Sequence, residues 1–447
     1  MAATLVEVKE VMLVTPSVPT PSHILPLSAL DSQLFLRFTI EYLLIYQPCP
    51  DQDRAALLRR IKAALARALI PYYPLAGRVR QREDGLGLEV VCQAQGAVFI
   101  EAESNATVTE FEQAPRRCKQ WRKLLAVHVE DVVAGSPPLV MQLTWLADGA
   151  AAVGVGLSHC ICDGIGSGEF LNSWAELATG QRGLGELWPQ PVWERHLLDP
   201  LPIPHGLIAH PEFEPVQDCC RFSTRLTREP LVPSAVSFDR LHLVRLKKLA
   251  AVAAGEDQWV DSERVPSRLS ESAFTSFEVL SAHVWRCWVR ALELPARQKV
   301  RLLFSIDVRR RVVPCLPRGY YGNGFVLGCA EATAKEVIEN GLGWVAGLVR
   351  SAKDRVDDDY VRSVVEVVSE SRSACPDSVG VLILSQWSRL GLERVDFGMG
   401  KPVHVGAVCS DIYCLFLPVY KQRDAVKVML AVPKSGIAKY EHWLRNP

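Results

Sequence analysis

The sequence lacks any run of about 20 apolar residues, which is the length that a membrane-spanning helix needs. It has no excess of either charge, since 50 Lys and Arg balance 50 Asp and Glu, whereas nucleic-acid binders usually carry a basic excess. Internal repeats and low-complexity tracts are also missing. Near the N-terminus, Glu7, Lys9 and Glu10 interrupt the apolar residues, which predicts that no secretory signal is present. We therefore expect a folded chain without nucleic-acid or membrane partners.

Several familiar catalytic signatures are missing as well. The sequence contains no Gly-x-Ser-x-Gly elbow and no Walker loop, which argues against common serine hydrolases and P-loop enzymes. The triplet Asp396-Phe397-Gly398 occurs in kinases, but no kinase catalytic loop or glycine-rich nucleotide loop accompanies it. The 13 cysteines are odd in number and have no paired spacing, so we expect reduced, mostly buried thiols and a cytoplasmic location.

What is present predicts two domains. A chain of 447 residues with 49% hydrophobic and 22% charged residues is well suited to burying more than one core. Strand-like and helix-like patterns alternate along it, which indicates an α/β or mixed α+β fold. A proline-rich segment without periodicity, 181–225, interrupts the pattern. We interpret it as a crossover linker between domains at 1–180 and 226–447.

Local signals predict some of the elements in detail. A hairpin is expected at 139–146 and 151–157, with the turn at Asp148-Gly149. The apolar residues that follow have helical spacing and stop at Gly180, a predicted C-cap. In the second half, Thr275 and Glu278 form a predicted capping box ahead of another amphipathic helix.

His159 differs in context from most of the ten histidines. It follows a predicted strand in the run SHCICDG, 158–164, directly before a predicted helix, and such junctions project side chains into clefts. A histidine there can act as a general base near neutral pH. Asp163 could form a dyad with it, cap the helix or pair with a distant arginine, because Gly164 and Gly166 predict a tight turn before the helix.

A metal site is the other chemical interpretation of this run. His159, Cys160 and Cys162 are possible ligands, but zinc usually needs a second pair of ligands at a matching spacing, and the sequence has none. We therefore predict no metal site and no permanently bound cofactor.

The His159-x-x-x-Asp163-Gly164 motif, followed by Asp396-Phe397-Gly398-Met399-Gly400, resembles the plant BAHD acyl-CoA-dependent acyltransferases. Supporting runs extend over nearly the whole chain: LSALD at 27–31, YPLAGR at 73–78 and GYYGN at 319–323. The resemblance implies two similar-sized domains, each a mixed sheet flanked by helices as in chloramphenicol acetyltransferase, with a channel between them. It also implies a monomer that transfers an acyl group from acyl-CoA to a small-molecule alcohol without an acyl-enzyme.

The same resemblance implies roles for individual residues. His159 would be the general base, while Asp163, Gly164, Asp396 and Arg309 would be structural, with Asp163 turned toward an arginine and Asp396 paired with Arg309. Further candidates are Ser385 and Trp387 for oxyanion or acceptor contacts, though a core role is equally open for each, and Gly398, Gly400 and Ser276 for coenzyme A.

Two alternatives remain open. An amine acceptor would give an amide by the same chemistry, and the preferred donor, a hydroxycinnamoyl- or other aromatic acyl-CoA, rests on the resemblance alone. The family usually has Trp where this chain has Met399, a change that could loosen that loop. A non-catalytic binding protein on the same fold is the alternative from another class. A peptide-synthetase condensation domain is disfavoured, because Ser158 stands where that family usually has a second histidine.

Overall fold

A computed structural model describes residues 5–50, 53–113, 121–129, 131–201, 208–252, 274–371, 374–408 and 413–447. The strands of the described residues are β1 (Val6–Val14), β2 (His23–Pro26), β3 (Thr39–Tyr46), β4 (Arg78–Gln81), β5 (Leu88–Cys92), β6 (Ala97–Ser104), β7 (Leu139–Trp145), β8 (Ala151–Ser158), β9 (Leu231–Phe238), β10 (Lys299–Asp307), β11 (Phe325–Thr333), β12 (Val381–Gln386), β13 (His404–Ala407), β14 (Tyr413–Val419) and β15 (Gln422–Pro433). The α-helices are α1 (Arg54–Ala68), α2 (Val108–Gln113), α3 (Gly164–Thr179), α4 (Phe222–Thr227), α5 (Arg240–Val252), α6 (Ser276–Leu292), α7 (Ala334–Glu339), α8 (Leu342–Asp354), α9 (Asp358–Glu370) and α10 (Ile437–Arg445).

Two six-stranded sheets organise these elements, as expected for a mixed fold. The first has the order β1-β6-β7-β8-β3-β13 and the second the order β11-β10-β12-β14-β15-β9, while β2, β5 and β4 form a small third sheet. Each large sheet is mixed, because β6–β7 in the first and β10–β12–β14 in the second are parallel and the remaining pairs are antiparallel. The predicted mixed α/β architecture is therefore confirmed.

Each large sheet belongs to its own hydrophobic core, but the chain crosses between them. Helices α1 and α3 pack in the first core, and helices α5, α6, α8 and α10 in the second. Strand β13 comes from the second half of the chain, yet it pairs with β3 in the first sheet. Leu30, from the first half, is buried in the second core. The division at 181–225 remains a prediction, and these exchanges tie the two halves together across it.

Several local predictions are confirmed by hydrogen bonds. Thr275 and Glu278 form the capping box at the start of α6, with the Glu278 amide donating to Thr275 Oγ1 at 3.2 Å and the Thr275 amide donating to Glu278 Oε2 at 2.8 Å. Helix α3 ends at Gly180, whose φ of 70° is the left-handed value that glycine adopts without a Cβ penalty. The hairpin of β7 and β8 also forms, and both strands are buried along their whole length.

The predicted tight turn does precede α3, with the Ile161 amide donating to the Ser158 carbonyl at 3.0 Å, but the two glycines are not part of it. Gly164 and Gly166 lie in the first turn of the helix, which begins directly after Asp163. The glycines serve close packing, because a Cβ on Gly166 would stand 2.0 Å from the carbonyl oxygen of Tyr321. A side chain there would push the helix away from the 319–324 loop, so this face of α3 has to be small.

Candidate active site

His159 lies directly after β8, in the short connection to α3, and is half-buried. Its backbone amide donates to the carbonyl of Phe38 at 2.9 Å. The imidazole is edge-on to the Phe38 ring, with centroids 5.2 Å apart, and tilted against the Phe325 ring at 5.8 Å. Phe38 precedes the first-sheet strand β3 and Phe325 begins the second-sheet strand β11. Aromatic rings from both halves of the molecule therefore contact the imidazole.

The surroundings of His159 keep the imidazole neutral. Burial lowers its pKa below 6.5, because the charged ring loses hydration, and the carboxylates of Asp163 and Asp31 oppose this shift only in part. Its Nδ1 atom is buried and has no hydrogen-bond partner among the described residues. The ring lines a cavity, so Nε2 is the nitrogen that a substrate could reach. A neutral imidazole at neutral pH is the form that can accept a proton.

A buried amide network fixes the backbone of His159. The side-chain nitrogen of Asn323 donates to the His159 carbonyl at 2.7 Å and to Asp31 Oδ1 at 2.8 Å. The Asn323 amide also donates to Asp31 Oδ1 at 2.9 Å, and the amide and hydroxyl of Ser28 donate to Asp31 Oδ2. Both Asp31 and Asn323 are completely buried. These hydrogen bonds satisfy the buried carboxylate of Asp31. Through Asn323, Asp31 orients the loop that carries the histidine.

Arg195, from the predicted linker, supports the same loop. Its side chain is only 2% exposed, yet it donates to the carbonyl of Ile161 at 2.7 Å and lies 3.4 Å from Asp31. The guanidinium also stacks on the rings of Trp193, Tyr320 and Tyr321, at 4.2–5.1 Å from their centroids. The linker is thus bound tightly next to the candidate base.

Asp163 points away from the imidazole and pairs with Arg309, as one of the three sequence interpretations expected. The two carboxylate oxygens lie 2.9 Å and 3.0 Å from two guanidinium nitrogens, which is a bidentate ion pair. Asp163 also caps α3 by accepting from the Gly166 amide at 2.9 Å. Its other oxygen accepts from the Gly324 amide at 3.1 Å. The ion pair therefore joins the start of α3 to β10 and its following loop.

The predicted pairing of Arg309 with Asp396 is wrong. Besides Asp163, Arg309 donates to Asp307 and to the carbonyls of Tyr320 and Gly322, which uses its whole set of donors. Asp396 instead accepts from the amides of two glycines in its own motif, Gly398 at 2.7 Å and Gly400 at 2.9 Å. Among the described residues, these backbone amides are the hydrogen-bond partners of the Asp396 carboxylate.

The second motif forms a tight loop on the first core. Gly398 and Gly400 have φ values of 94° and 80°, which L side chains rarely adopt. Met399 between them is 8% exposed and packs in the first core with Phe397. The thioether in the usual place of Trp is therefore accommodated as a core side chain, and the loop keeps its two left-handed glycines.

A cavity of about 320 Å³ begins at His159 and extends into the second half of the molecule. Aromatic side chains surround the imidazole, and the rest of the lining is mostly apolar, with Asp377 and three serines, Ser305, Ser378 and Ser385, among it. Among the described residues that line it, none is a lysine or arginine. The carboxylate of Asp377 is occupied by the amides of Val216 and Val379, at 2.7 Å and 2.9 Å. The cavity thus suits apolar groups next to a base.

The remaining candidates occupy different places. Ser385, on β12, lines the cavity together with His159. Trp387 packs its ring against Tyr42 at 4.9 Å in the first core, which is the core role that the sequence left open. Ser276 is half-buried at the first position of α6 and is not among the described residues that line this cavity. Its contact with coenzyme A stays a prediction.

The two cysteines near His159 have ordinary core roles. The Cys160 thiol donates to the Leu36 carbonyl at 3.4 Å, and the Cys162 sulfur accepts from Ser167 Oγ at 3.5 Å. Burial raises the pKa of each thiol to about 12, so both are neutral at physiological pH. A neutral thiol is neither a good nucleophile nor a metal ligand.

The sequence interpretation missed the support around the base. Asp31 and Asn323 lie within the runs LSALD and GYYGN without any signal of their own, and Arg195, Phe38 and Phe325 carry no local signal. A buried arginine in a proline-rich segment is not visible from spacing, because its burial depends on three aromatic rings that are distant in the chain. Only the assembled tertiary structure brings these groups to the histidine.

Comparison with known proteins identifies the family. The family model described as Transferase family matches residues 4–446. The chain is 34% identical over 437 residues to an omega-hydroxypalmitate O-feruloyl transferase of Arabidopsis thaliana, covering 97% of this chain and 91% of that relative. The chain belongs to the BAHD acyltransferases. Another family member, the 3'-N-debenzoyl-2'-deoxytaxol N-benzoyltransferase of Taxus canadensis, is 30% identical and covers 94% of this chain and 91% of its own length.

The fold comparison agrees with this family. The crystal structure of F. sporotrichioides TRI101 complexed with coenzyme A and T-2 matches with a TM-score of 0.73. It covers 95% of this chain and 99% of that chain at 17% sequence identity, so the likeness is one of fold. As a BAHD member the protein is an acyltransferase, and a CoA complex among its structural neighbours fits acyl-CoA as co-substrate. None of the helices in the described part of the chain combines the length and apolarity needed to cross a bilayer.

Proposed function

We propose that this protein transfers an aromatic acyl group, of the hydroxycinnamoyl type, from acyl-CoA to the hydroxyl of an apolar alcohol. The observation that carries the proposal is the neutral imidazole of His159 at the head of an apolar cavity. The O-feruloyl transferase relative, named for ω-hydroxypalmitate, supports both an aromatic donor and an aliphatic hydroxyl acceptor. The aromatic rings around the imidazole suit a planar acyl group, and the aliphatic remainder suits an alkyl acceptor.

In the proposed reaction, His159 Nε2 takes the hydroxyl proton while the alcohol oxygen attacks the thioester carbonyl. The new C–O bond gives a tetrahedral intermediate with a negative oxygen. That intermediate collapses by breaking the C–S bond, and the imidazolium returns its proton to the leaving thiolate. The products are an ester and coenzyme A, with no acyl-enzyme. General base catalysis contributes about 10²–10⁴-fold, and the rest comes from holding both substrates in place and stabilising the oxyanion.

The remaining site residues enter the proposal with distinct roles. Ser385 is the candidate oxyanion or acceptor contact, because its side chain lines the cavity that contains the imidazole. Asp163, Arg309 and Gly164 position the loop of the base, and Asp396 with its two glycines holds the second motif. Coenzyme A contacts at Ser276, Gly398 and Gly400 are proposed on family resemblance. The protein is proposed to act as a cytoplasmic monomer.

An amine acceptor is the second candidate function. The N-benzoyltransferase relative makes an amide by name, and a neutral imidazole could take a proton from an attacking amine in the same position. The nature of the product separates the two. We expect ester formation with alkanols, whereas amide formation with matched alkylamines at a higher kcat/KM would favour the second candidate.

The test is release of free thiol from feruloyl-CoA in the presence of pooled alcohols or amines, with the products identified by mass spectrometry. We expect His159→Ala to lower kcat by about 10²–10⁴-fold, because it removes the base. His242→Ala is a matched control, since His242 is exposed on α5 and pairs with Asp239 at the protein surface. Turnover within tenfold of wild type in a folded His159→Ala variant would remove His159 as the base. Binding of CoA without any turnover would support a non-catalytic member of the family.

A further inference from the structure

The cavity extends well beyond the reacting atoms. Its far end is lined by Phe222 and Leu226 of α4, in and just after the predicted linker, and by Trp288 of α6. Trp288 is only 4% exposed, and its ring meets the Phe222 ring at 6.0 Å and 61°. The small exposed part of the indole therefore faces the cavity, which ends against an aromatic wall.

This wall is held firmly in place. The amide of Phe222 donates to both carboxylate oxygens of Asp218, at 3.0 Å and 2.8 Å, which fixes the start of α4. Arg225, on the same helix, donates to the carbonyl of Leu292 at the end of α6, at 3.0 Å. Helices α4 and α6 are thus tied to each other at the far end of the cavity.

The far end does not suit the phosphate groups of the coenzyme. Coenzyme A carries phosphates, which proteins bind with arginine, lysine or exposed amides, and none of the described lining residues is an arginine or lysine. The coenzyme end of the donor must also reach solvent, whereas an alcohol acceptor with an alkyl chain has no charged end to keep outside. Burial of an alkyl chain against this apolar lining is energetically favourable.

We infer that the far end of the cavity binds the distal part of the acceptor's alkyl chain, and that Trp288 with Leu226 sets the longest chain accepted. This inference rests on the proposed function. Each methylene buried before the wall is reached raises kcat/KM by up to about fourfold. A chain that reaches the indole must displace it or leave its hydroxyl short of His159, so activity falls sharply beyond that length.

The experiment measures kcat/KM for straight-chain 1-alkanols of graded length with feruloyl-CoA held constant. We expect Trp288→Ala to move the length limit upward by about three methylenes, with a gain of tenfold or more for the first alkanol beyond the wild-type limit. Leu226→Phe should move the limit downward by one or two methylenes, because it fills the same space. If Trp288→Ala folds poorly, Trp288→Phe replaces it, because this variant keeps an aromatic core residue. We expect it to shift the length limit upward by a smaller amount.

Trp285→Phe is the matched control. Trp285 lies on the same helix and is completely buried, but it does not line the cavity among the described residues. Its variant should keep the wild-type length profile. An unchanged limit in folded Trp288 and Leu226 variants that still acylate short alkanols would overturn the inference and leave the proposed function intact. The inference would also be overturned if the variants changed the longest acyl group accepted from acyl-CoA at a fixed alcohol, since the far end of the cavity would then hold the donor. No ester from any alkanol with any variant would instead remove the proposed function.

Discussion

The two aspartate–glycine motifs of this chain look alike in sequence but are used differently. Asp163 and Asp396 each accept hydrogen bonds from amides of glycines that follow them. Asp163 is also held by the two guanidinium nitrogens of Arg309, from the other half of the chain. Asp396 has only local partners among its described hydrogen bonds. The first carboxylate links the two halves beside the base, whereas the second shapes one loop.

The difference shows where an ion pair affects stability. Arg309 is mostly buried, with 12% of its side chain exposed, and Asp163 is 5% exposed. The neighbouring carboxylates raise the pKa of Arg309 against the opposing effect of burial, so the cation depends on its partners. Removing one member of such a pair leaves a buried charge, while removing a carboxylate that only accepts from amides leaves two neutral donors.

Asp163→Ala should have the largest effect on stability. Loss of the carboxylate leaves the Arg309 guanidinium buried beside Asp307 alone, and we expect a decrease of about 3–5 kcal/mol in the free energy of unfolding. Urea denaturation measures it. The double variant Asp163→Ala with Arg309→Met should lose less than the sum of the two single variants, because the orphaned charge is removed. Additive losses would show that the pair is not coupled and would end the comparison drawn above.

Asp396→Ala should cost less, about 1–3 kcal/mol in the free energy of unfolding, because only two amide hydrogen bonds are lost. Asp396→Asn is the matched variant. Its side-chain oxygen can still accept from the amides of Gly398 and Gly400, so we expect it to recover most of that loss. If Asp396→Asn is as unstable as Asp396→Ala, the negative charge itself stabilises the fold, and Asp396 has a charged partner after all.

The glycines of the second motif should respond by backbone strain. Gly400→Ala places a Cβ in open space at a φ of 80°, so we expect a loss of about 1 kcal/mol from the left-handed conformation alone. At Gly398 a Cβ would also stand 2.3 Å from an Arg60 side-chain nitrogen, and the loss should be larger by the cost of moving that side chain. Thermal unfolding measures both. Equal losses would mean that Arg60 moves freely.

The smallest effect concerns the pH dependence of the reaction. Since burial lowers the pKa of His159, kcat/KM should rise with pH through an inflection below 6.5 and be level near pH 7. The negative charge of Asp163 raises that pKa, so Asp163→Asn should move the inflection to lower pH. Asp396→Asn should leave the inflection unchanged. A shift of equal size in both variants would show that the change is general and not specific to the loop of the base.

Local features were predictable because short-range forces decide them. The capping box of Thr275 and Glu278 and the left-handed Gly180 depend on a few neighbouring residues, and the structure has both. The strand-to-helix position of His159 also follows from local pattern, and it placed the candidate base correctly at a junction. By contrast, the glycines after Asp163 suggest a turn, but they lie inside the helix, and the small size of Gly166 serves contact with Tyr321, which is distant in the chain.

Pairing between distant residues was not predictable. Arg309 could satisfy either aspartate by charge alone, and the sequence interpretation chose Asp396. Strand β13 could have stayed with the second sheet, yet it pairs with β3 in the first. Both outcomes depend on which groups the whole fold brings within hydrogen-bonding distance. Neither can be predicted from the spacing of residues in the sequence.

By itself the sequence determined the mixed α/β class, the family and the histidine that could act as a base, because these depend on composition, periodicity and two short motifs. Only the tertiary structure decided that Arg309 belongs to Asp163, that Asp31, Asn323 and Arg195 hold the loop of His159, and that the apolar cavity ends at Trp288. The physical reason is that burial, ion pairing and cavity shape arise from side chains far apart in the chain, whose proximity exists only once both sheets have packed together.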